Sequence, residues 1–249
     1  MKNFTSIVIT GASNGIGEAL ARDYAGPGVA LALTGRDKVR LETVAAACRA
    51  KGATVTAGAI NVLDRQALAE WLRAFDDAHP VDLVIANAGV SIDQDNSSLH
   101  DFSIIRETFD INVGGVLNTV EPLLGRMQAR RYGQIGVVSS LASFIGLPYS
   151  ASYNASKAAV RVWGESIRYV LRKDGIGVSV ICPGFVRTRI TERAPFPMPF
   201  IMSTARASDI IRRGLARDHA RIAFPIGLTA AVWFGLTLPG RWSARLLGA

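Results

Sequence analysis

Ser6-Ile7-Val8-Ile9-Thr10-Gly11-Ala12-Ser13-Asn14-Gly15-Ile16-Gly17-Glu18-Ala19-Leu20-Ala21-Arg22 joins a β-branched run, a glycine-rich turn and a helix-forming stretch end to end. Glycines at such a turn allow tight backbone geometry and close approach of a pyrophosphate. The helix that follows presents unpaired N–H groups and the positive end of its dipole. The spacing is Gly-x3-Gly-x-Gly, not the better-known Gly-x-Gly-x-x-Gly. A structural turn can look the same, but a position between first strand and first helix favours a dinucleotide site.

The alternation continues along the chain. Short apolar runs at 6–9, 29–34, 54–59, 83–86, 134–138, 177–181 and 222–224 predict strands. Helix-period stretches at 16–24, 39–50, 65–75, 102–130 and 155–172 lie between them. Continuous apolar strands alternating with helices predict an α/β, doubly wound parallel sheet of the Rossmann type, covered on both faces. Ligands of that architecture lie beyond the strand C-termini, at the switch point. A chain of 249 residues with 49% hydrophobic and 19% charged residues suits one globular domain, 1–249. The start carries no secretory pattern, and Cys48 and Cys182 suggest neither a disulfide framework nor a metal site. A cytoplasmic location is expected.

The end of the second strand, Leu33-Thr34-Gly35-Arg36-Asp37, bears on cofactor choice. NAD sites usually place an acidic side chain there for the ribose 2′-hydroxyl. Arg36 instead offers a guanidinium that pairs with a 2′-phosphate, so NADP(H) is favoured over NAD(H). Asp37 is expected to turn toward solvent or the next helix. The net charge of +8 is uneven: 14 Lys/Arg face 15 Asp/Glu up to residue 159, and 14 face 5 from residue 160. A basic surface suits nucleic acid, anionic lipid or a polyphosphorylated cofactor. No nucleic-acid motif accompanies it, and no such partner is expected.

Tyr153 and Lys157 stand four apart on a predicted helix, hence on one face. A free phenol has a pKa of about 10; a nearby cation favours phenolate and brings it toward the range of general acid-base work. The strand 134–138 ends in Ser139-Ser140, where a hydroxyl can donate to a substrate oxygen.

Four motifs in order, Thr10–Gly17, Asn87-Ala88-Gly89, Ser140 with Tyr153-x3-Lys157, and Pro183-Gly184, resemble the short-chain dehydrogenase/reductase family over residues 4 to 190. The resemblance implies an oxidoreductase that moves a hydride between nicotinamide and a carbonyl or alcohol. Tyr153 would be the proton donor or acceptor, and Lys157 would hold the nicotinamide ribose and depress the Tyr153 pKa. Ser140 would orient the substrate oxygen, with Ser139 the lesser candidate. Asn112 would hold a water relaying protons to Lys157. Gly11, Ser13, Asn14, Gly15, Ile16 and Gly17, with Arg36, Asn61, Val62, Asn87, Ala88 and Gly89, would bind the cofactor. Pro183, Gly184, Val186 and Thr188 would complete that set, the last fixing the carboxamide. Asn61 replaces the aspartate that many relatives use at adenine, and Asn14 replaces a basic residue found in some NADP-dependent relatives.

Residues 190–220 are expected to cover the substrate, and the apolar 190–202, with Phe144, Ile145 and Leu147, suggests a hydrophobic pocket for an apolar carbonyl or alcohol. Residues 226–249 form an apolar and basic tail. Residues 222–239 carry no charge, and Arg241, Trp242 and Arg245 follow. A subunit interface or a peripheral membrane contact accounts for this tail. A homo-oligomer, dimer or tetramer, is expected. The competing class is a non-catalytic NADP(H)-binding regulator or scaffold.

Overall fold

The computed structural model describes residues 1–92, 101–146, 150–192 and 197–237. Strands β1 (Ser6–Thr10), β2 (Ala30–Thr34), β3 (Thr54–Gly58), β4 (Leu83–Ala86), β5 (Gly133–Val138), β6 (Ile176–Pro183) and β7 (Arg221–Phe224) build one sheet. Its order is β3-β2-β1-β4-β5-β6-β7, and every pairing is parallel. Parallel neighbours need crossovers, and helices supply them. These are α1 (Gly15–Tyr24), α2 (Lys38–Arg49), α3 (Arg65–Ala78), α4 (Phe102–Phe109), α5 (Gly115–Arg130), α6 (Ala151–Leu171), α7 (Arg189–Glu192) and α8 (Thr204–Ala216), and α9 (Ile226–Thr237) follows the last strand. Asp37 starts α2 and Asp64 starts α3 by accepting from the backbone N–H three residues on, at 3.0 and 3.1 Å.

The period-2 alternation of the strands splits the core in two. Ile7, Ile9, Leu83 and Ile85 pack on one face with Leu20, Leu41, Ile211 and Leu215. Val8, Val84, Ile135 and Val137 pack on the other with Leu72, Phe75, Val120 and Val160. Because both faces are covered, the central strands β1, β4, β5 and β6 are buried along their whole length, as the sequence runs anticipate, while the edge strand β3 keeps Thr54 and Thr56 exposed.

The stretch 102–130 is not one regular helix. Between α4 and α5, residues Asp110–Gly114 form a π turn, which shifts the helix face at Asn112. Among the described residues of the predicted 190–220 cover, Ile190 and Thr191 border the cleft described below, while α8 packs Ala207, Ile211 and Leu215 into the core. Of the apolar loop residues anticipated around the substrate, Leu147, Pro195 and Phe196 lie outside the described residues, as does the tail from 238.

Candidate active site

The chain order reverses between β1 and β4, and a cleft of about 260 Å³ opens beyond the strand C-termini there. Gly11 sits at φ +68°, and a Cβ on it would stand 2.8 Å from the Ala88 Cα. Asn87 clamps the turn: its Nδ2 donates to the Thr10 carbonyl at 2.9 Å and to the Gly11 carbonyl at 3.2 Å. The Asn87 and Ala88 amides in turn donate to Thr10 Oγ1 at 3.1 and 3.2 Å.

Of the anticipated cofactor residues, Gly11, Ser13, Asn14, Gly15, Ile16, Arg36, Asn61, Val62, Asn87, Ala88, Gly89, Tyr153, Lys157, Pro183, Gly184, Val186 and Thr188 all border this cleft. Gly17 does not. Its missing Cβ instead lets α1 close on the Gly11 carbonyl and on Asn87 Nδ2, which a Cβ would approach to 2.6 Å. Close packing of helix on turn accounts for that glycine.

Arg36 is exposed at the cleft rim. Asp37 turns into α2, where it accepts from the Arg40 amide and pairs with the Arg40 guanidinium at 2.7 Å. The hydrogen bond donated by the Arg40 backbone N–H is the main reason its carboxyl lies below the usual range. The sequence reading missed Arg40, which also borders the cleft and holds its Nε buried without a hydrogen-bond partner. It missed Gly35 as well, where a Cβ would meet Ser13 Oγ at 2.9 Å. A glycine turn with no room for side chains at the start of α1 fits the pyrophosphate of a nicotinamide dinucleotide.

Ser139 and Ser140 both border the cleft, but their hydroxyls differ in use. Ser139 donates to the Lys157 carbonyl at 2.7 Å. Ser140 Oγ accepts from the Ala142 amide at 3.1 Å and stands 3.5 Å from the Pro183 carbonyl. Burial pushes the Tyr153 phenol above its ordinary value, opposed by a hydrogen bond with Ser140. Lys157 Nζ lies 5.8 Å from the Tyr153 ring centroid and donates to the Val138 carbonyl at 3.0 Å. Burial also lowers the Lys157 ammonium to about 8.

Asn112 is fully buried and does not border the cleft. Its Oδ1 accepts from the Val90 amide at 2.8 Å, and its Nδ2 donates to the Val90 carbonyl and to Ser156 Oγ, both at 2.9 Å. A Cβ on Gly89 would stand 3.0 Å from both Asn112 Oδ1 and Lys157 Nζ, so the two side chains meet at that glycine. The π turn places Asn112 to lock the loop after β4 onto α6. Both amide atoms are therefore engaged by the protein.

Phe144 does not enter the cleft either. Its ring packs between the guanidiniums of Arg161 and Arg221, at 4.3 and 5.1 Å from the centroid.

A doubly wound sheet with a glycine turn at its switch point and a tyrosine–lysine pair beside it defines a class, the nicotinamide-dependent oxidoreductases. Residues 5–195 match the family model for short chain dehydrogenases. An uncharacterized oxidoreductase of Myxococcus xanthus is 37% identical over 95% of this chain and 94% of its own length. An 11-beta-hydroxysteroid dehydrogenase A of Sesamum indicum is 34% identical over 97% of this chain and 74% of its own. A solved short-chain dehydrogenase from Sphingobium yanoikuyae, in complex with NADPH, matches with a TM-score of 0.82 at 28% identity, covering 93% of this chain and 92% of that one. The chain belongs to the short-chain dehydrogenase/reductase family and is an NAD(P)-dependent oxidoreductase acting on CH–OH groups.

Proposed function

We propose that this protein interconverts a carbonyl and an alcohol on an apolar substrate with NADP(H), using Tyr153 as general acid and base. The observation that carries the reading is that Ser140, Tyr153 and Lys157 share one cleft with the glycine turn. When bound there, the nicotinamide supplies or accepts the hydride. Ser140 and Tyr153 hold the substrate oxygen between them, and their mutual hydrogen bond sets that spacing. In reduction Tyr153 gives its proton to this oxygen; in oxidation it takes the proton back. A phenol raised by burial is protonated at neutral pH, which suits the first of these directions. Lys157 holds the ribose side of the cleft, and Asn112 is a positioning residue that fixes the Gly89–Val90 loop beside it.

Preference for NADP(H) is supported by Arg36 and Arg40 at the cleft rim and by the engagement of Asp37 with α2. An apolar substrate is supported by Val90, Val186 and Ile190 along the cleft and by the steroid named for the sesame relative. Assembly as a homo-oligomer fits the exposed Leu117, Val162, Tyr169 and Val170 on α5 and α6.

Tyr153→Phe tests the central assignment. NADPH binding by fluorescence is expected to stay within about twofold, while turnover of apolar ketones falls by at least about 10²-fold. Substantial turnover by the variant would remove Tyr153 from the chemistry. Tight NADPH binding by the unaltered protein, with no turnover across apolar and polar carbonyls, would favour the non-catalytic alternative.

A further inference from the structure

Helix α9 leaves the sheet at β7 and carries no charged side chain along its 12 residues. Leu228 turns inward onto Leu141, Val180 and Cys182. Ile226 is 85% exposed and Phe234 65%, and Trp233 is exposed beside them. Phe200, also 65% exposed, stands against Gly227, where a Cβ would lie 3.8 Å from its ring. A helix this apolar on all sides belongs against something other than water. Twelve residues extend about 18 Å, well short of a bilayer's hydrocarbon core of about 30 Å. No helix among the described residues is long and apolar enough to cross a membrane.

Two observations identify the occupant. After Asp218 the sequence has no acidic residue, while Arg241 and Arg245 follow α9 with Trp242 between them; Arg221 is already paired with Glu165. Arg187, just past the cleft wall, is exposed and has no carboxylate within salt-bridge distance among the described residues. Arg187 is joined to the Phe200 side, since its amide donates to the Met202 carbonyl at 2.9 Å. A second copy would bring like charge against like charge; an anionic lipid surface meets an apolar helix flanked by arginines with the opposite sign. We propose that α9 and Phe200 form a docking face for anionic membrane surfaces.

The face adjoins the cleft. Gly184 borders the cleft, and a Cβ on it would stand 2.8 Å from Leu228 and 3.0 Å from Pro225, so the root of α9 leans on the cleft wall. Docking through α9 therefore holds the cleft mouth at the lipid surface, where an apolar carbonyl partitions. This delivery role rests on the function proposed above; the docking itself does not.

The test uses the full chain with vesicles of phosphatidylcholine alone and of phosphatidylcholine with phosphatidylglycerol. Sedimentation with the anionic vesicles is expected, weakening as salt rises from ~0.1 to ~1 M. The double variant Ile226→Glu/Phe234→Glu is expected to lose at least about tenfold in vesicle affinity. Its turnover of a water-soluble ketone with NADPH should be unchanged, which also shows that it folds. No sedimentation of the unaltered protein with anionic vesicles overturns the proposal. So does a variant that keeps its vesicle affinity, or one whose assembly mass drops, since a second copy then covers α9. Absence of ketone turnover in the unaltered protein, with vesicle binding intact, would count against the catalytic reading and leave the docking face standing.

Discussion

Lys157 is the residue whose environment departs furthest from what its position in the sequence suggests. Its ammonium is buried beneath Tyr153 and satisfied by the Val138 carbonyl. Burial lowers it to about 8, so between about pH 8 and the free value of 10.5 the unfolded chain keeps a proton that the fold has released. Stability from this group therefore rises with pH across that window and is flat below it. Lys157→Met is expected to remove the rise in urea midpoint between pH 8 and 10; an identical pH slope in the variant would mean that the amine is hydrated. Arg36 and Arg40 make a second prediction at this scale. Arg36→Ala and Arg40→Ala should each weaken NADPH binding roughly tenfold, because a charge-assisted pair to a phosphate is lost. Binding of NADH should hardly change. Equal losses with both cofactors would assign Arg40 to helix structure alone, through its Asp37 pair.

Among the elements, the junction of β1, its turn and α1 is under the tightest steric control. Gly17 has no room for a methyl group against the Gly11 carbonyl and Asn87, so Gly17→Ala must push α1 off the turn. A destabilisation of about 1–3 kcal/mol is expected, together with weaker NADPH binding, read by thermal melting with and without cofactor. Gly125→Ala, in α5 where a Cβ meets nothing within 4 Å, serves as the control. It should stabilise by about 0.5–1 kcal/mol, since alanine costs less conformational entropy in a helix. The turn was legible in the sequence because its glycines act within eight residues. The π turn at Asp110–Gly114 was not. Nothing local in Asp110-Ile111-Asn112-Val113-Gly114 distinguishes it from α-helix; it arises where Asn112 must meet Val90 and Ser156 together.

For the whole molecule, the sheet end opposite the cleft is tied down by Asp76 and Asp82. Asp82 accepts from Thr5 and Ser6 at the start of β1, yet burial outweighs those bonds and raises its carboxyl. Asp76 behaves in the opposite way. Burial would raise it, but bonds from Arg130, the Val81 amide and Arg126 outweigh that and hold it below the ordinary carboxylate range. Its contribution is present above the unfolded value of about 3.9 and is lost as pH falls through the lower folded one. Asp76→Asn should cost about 1–3 kcal/mol at neutral pH, moderated because Arg126 and Arg130 stay partly in water, and should flatten the acid limb of a stability profile. An unchanged acid limb would show that the cluster is held by geometry and not by charge. The sequence by itself determined the parallel sheet, the glycine turn and the one-face placement of Tyr153 and Lys157, because strand period, turn chemistry and helix period are short-range properties. Only the tertiary structure decided that Arg40 joins Arg36 at the cleft, that Phe144 packs against two arginines, and that Lys157 donates to the Val138 carbonyl. Those outcomes depend on how distant helices cross the sheet and on which buried polar group finds which partner, and no local pattern encodes either.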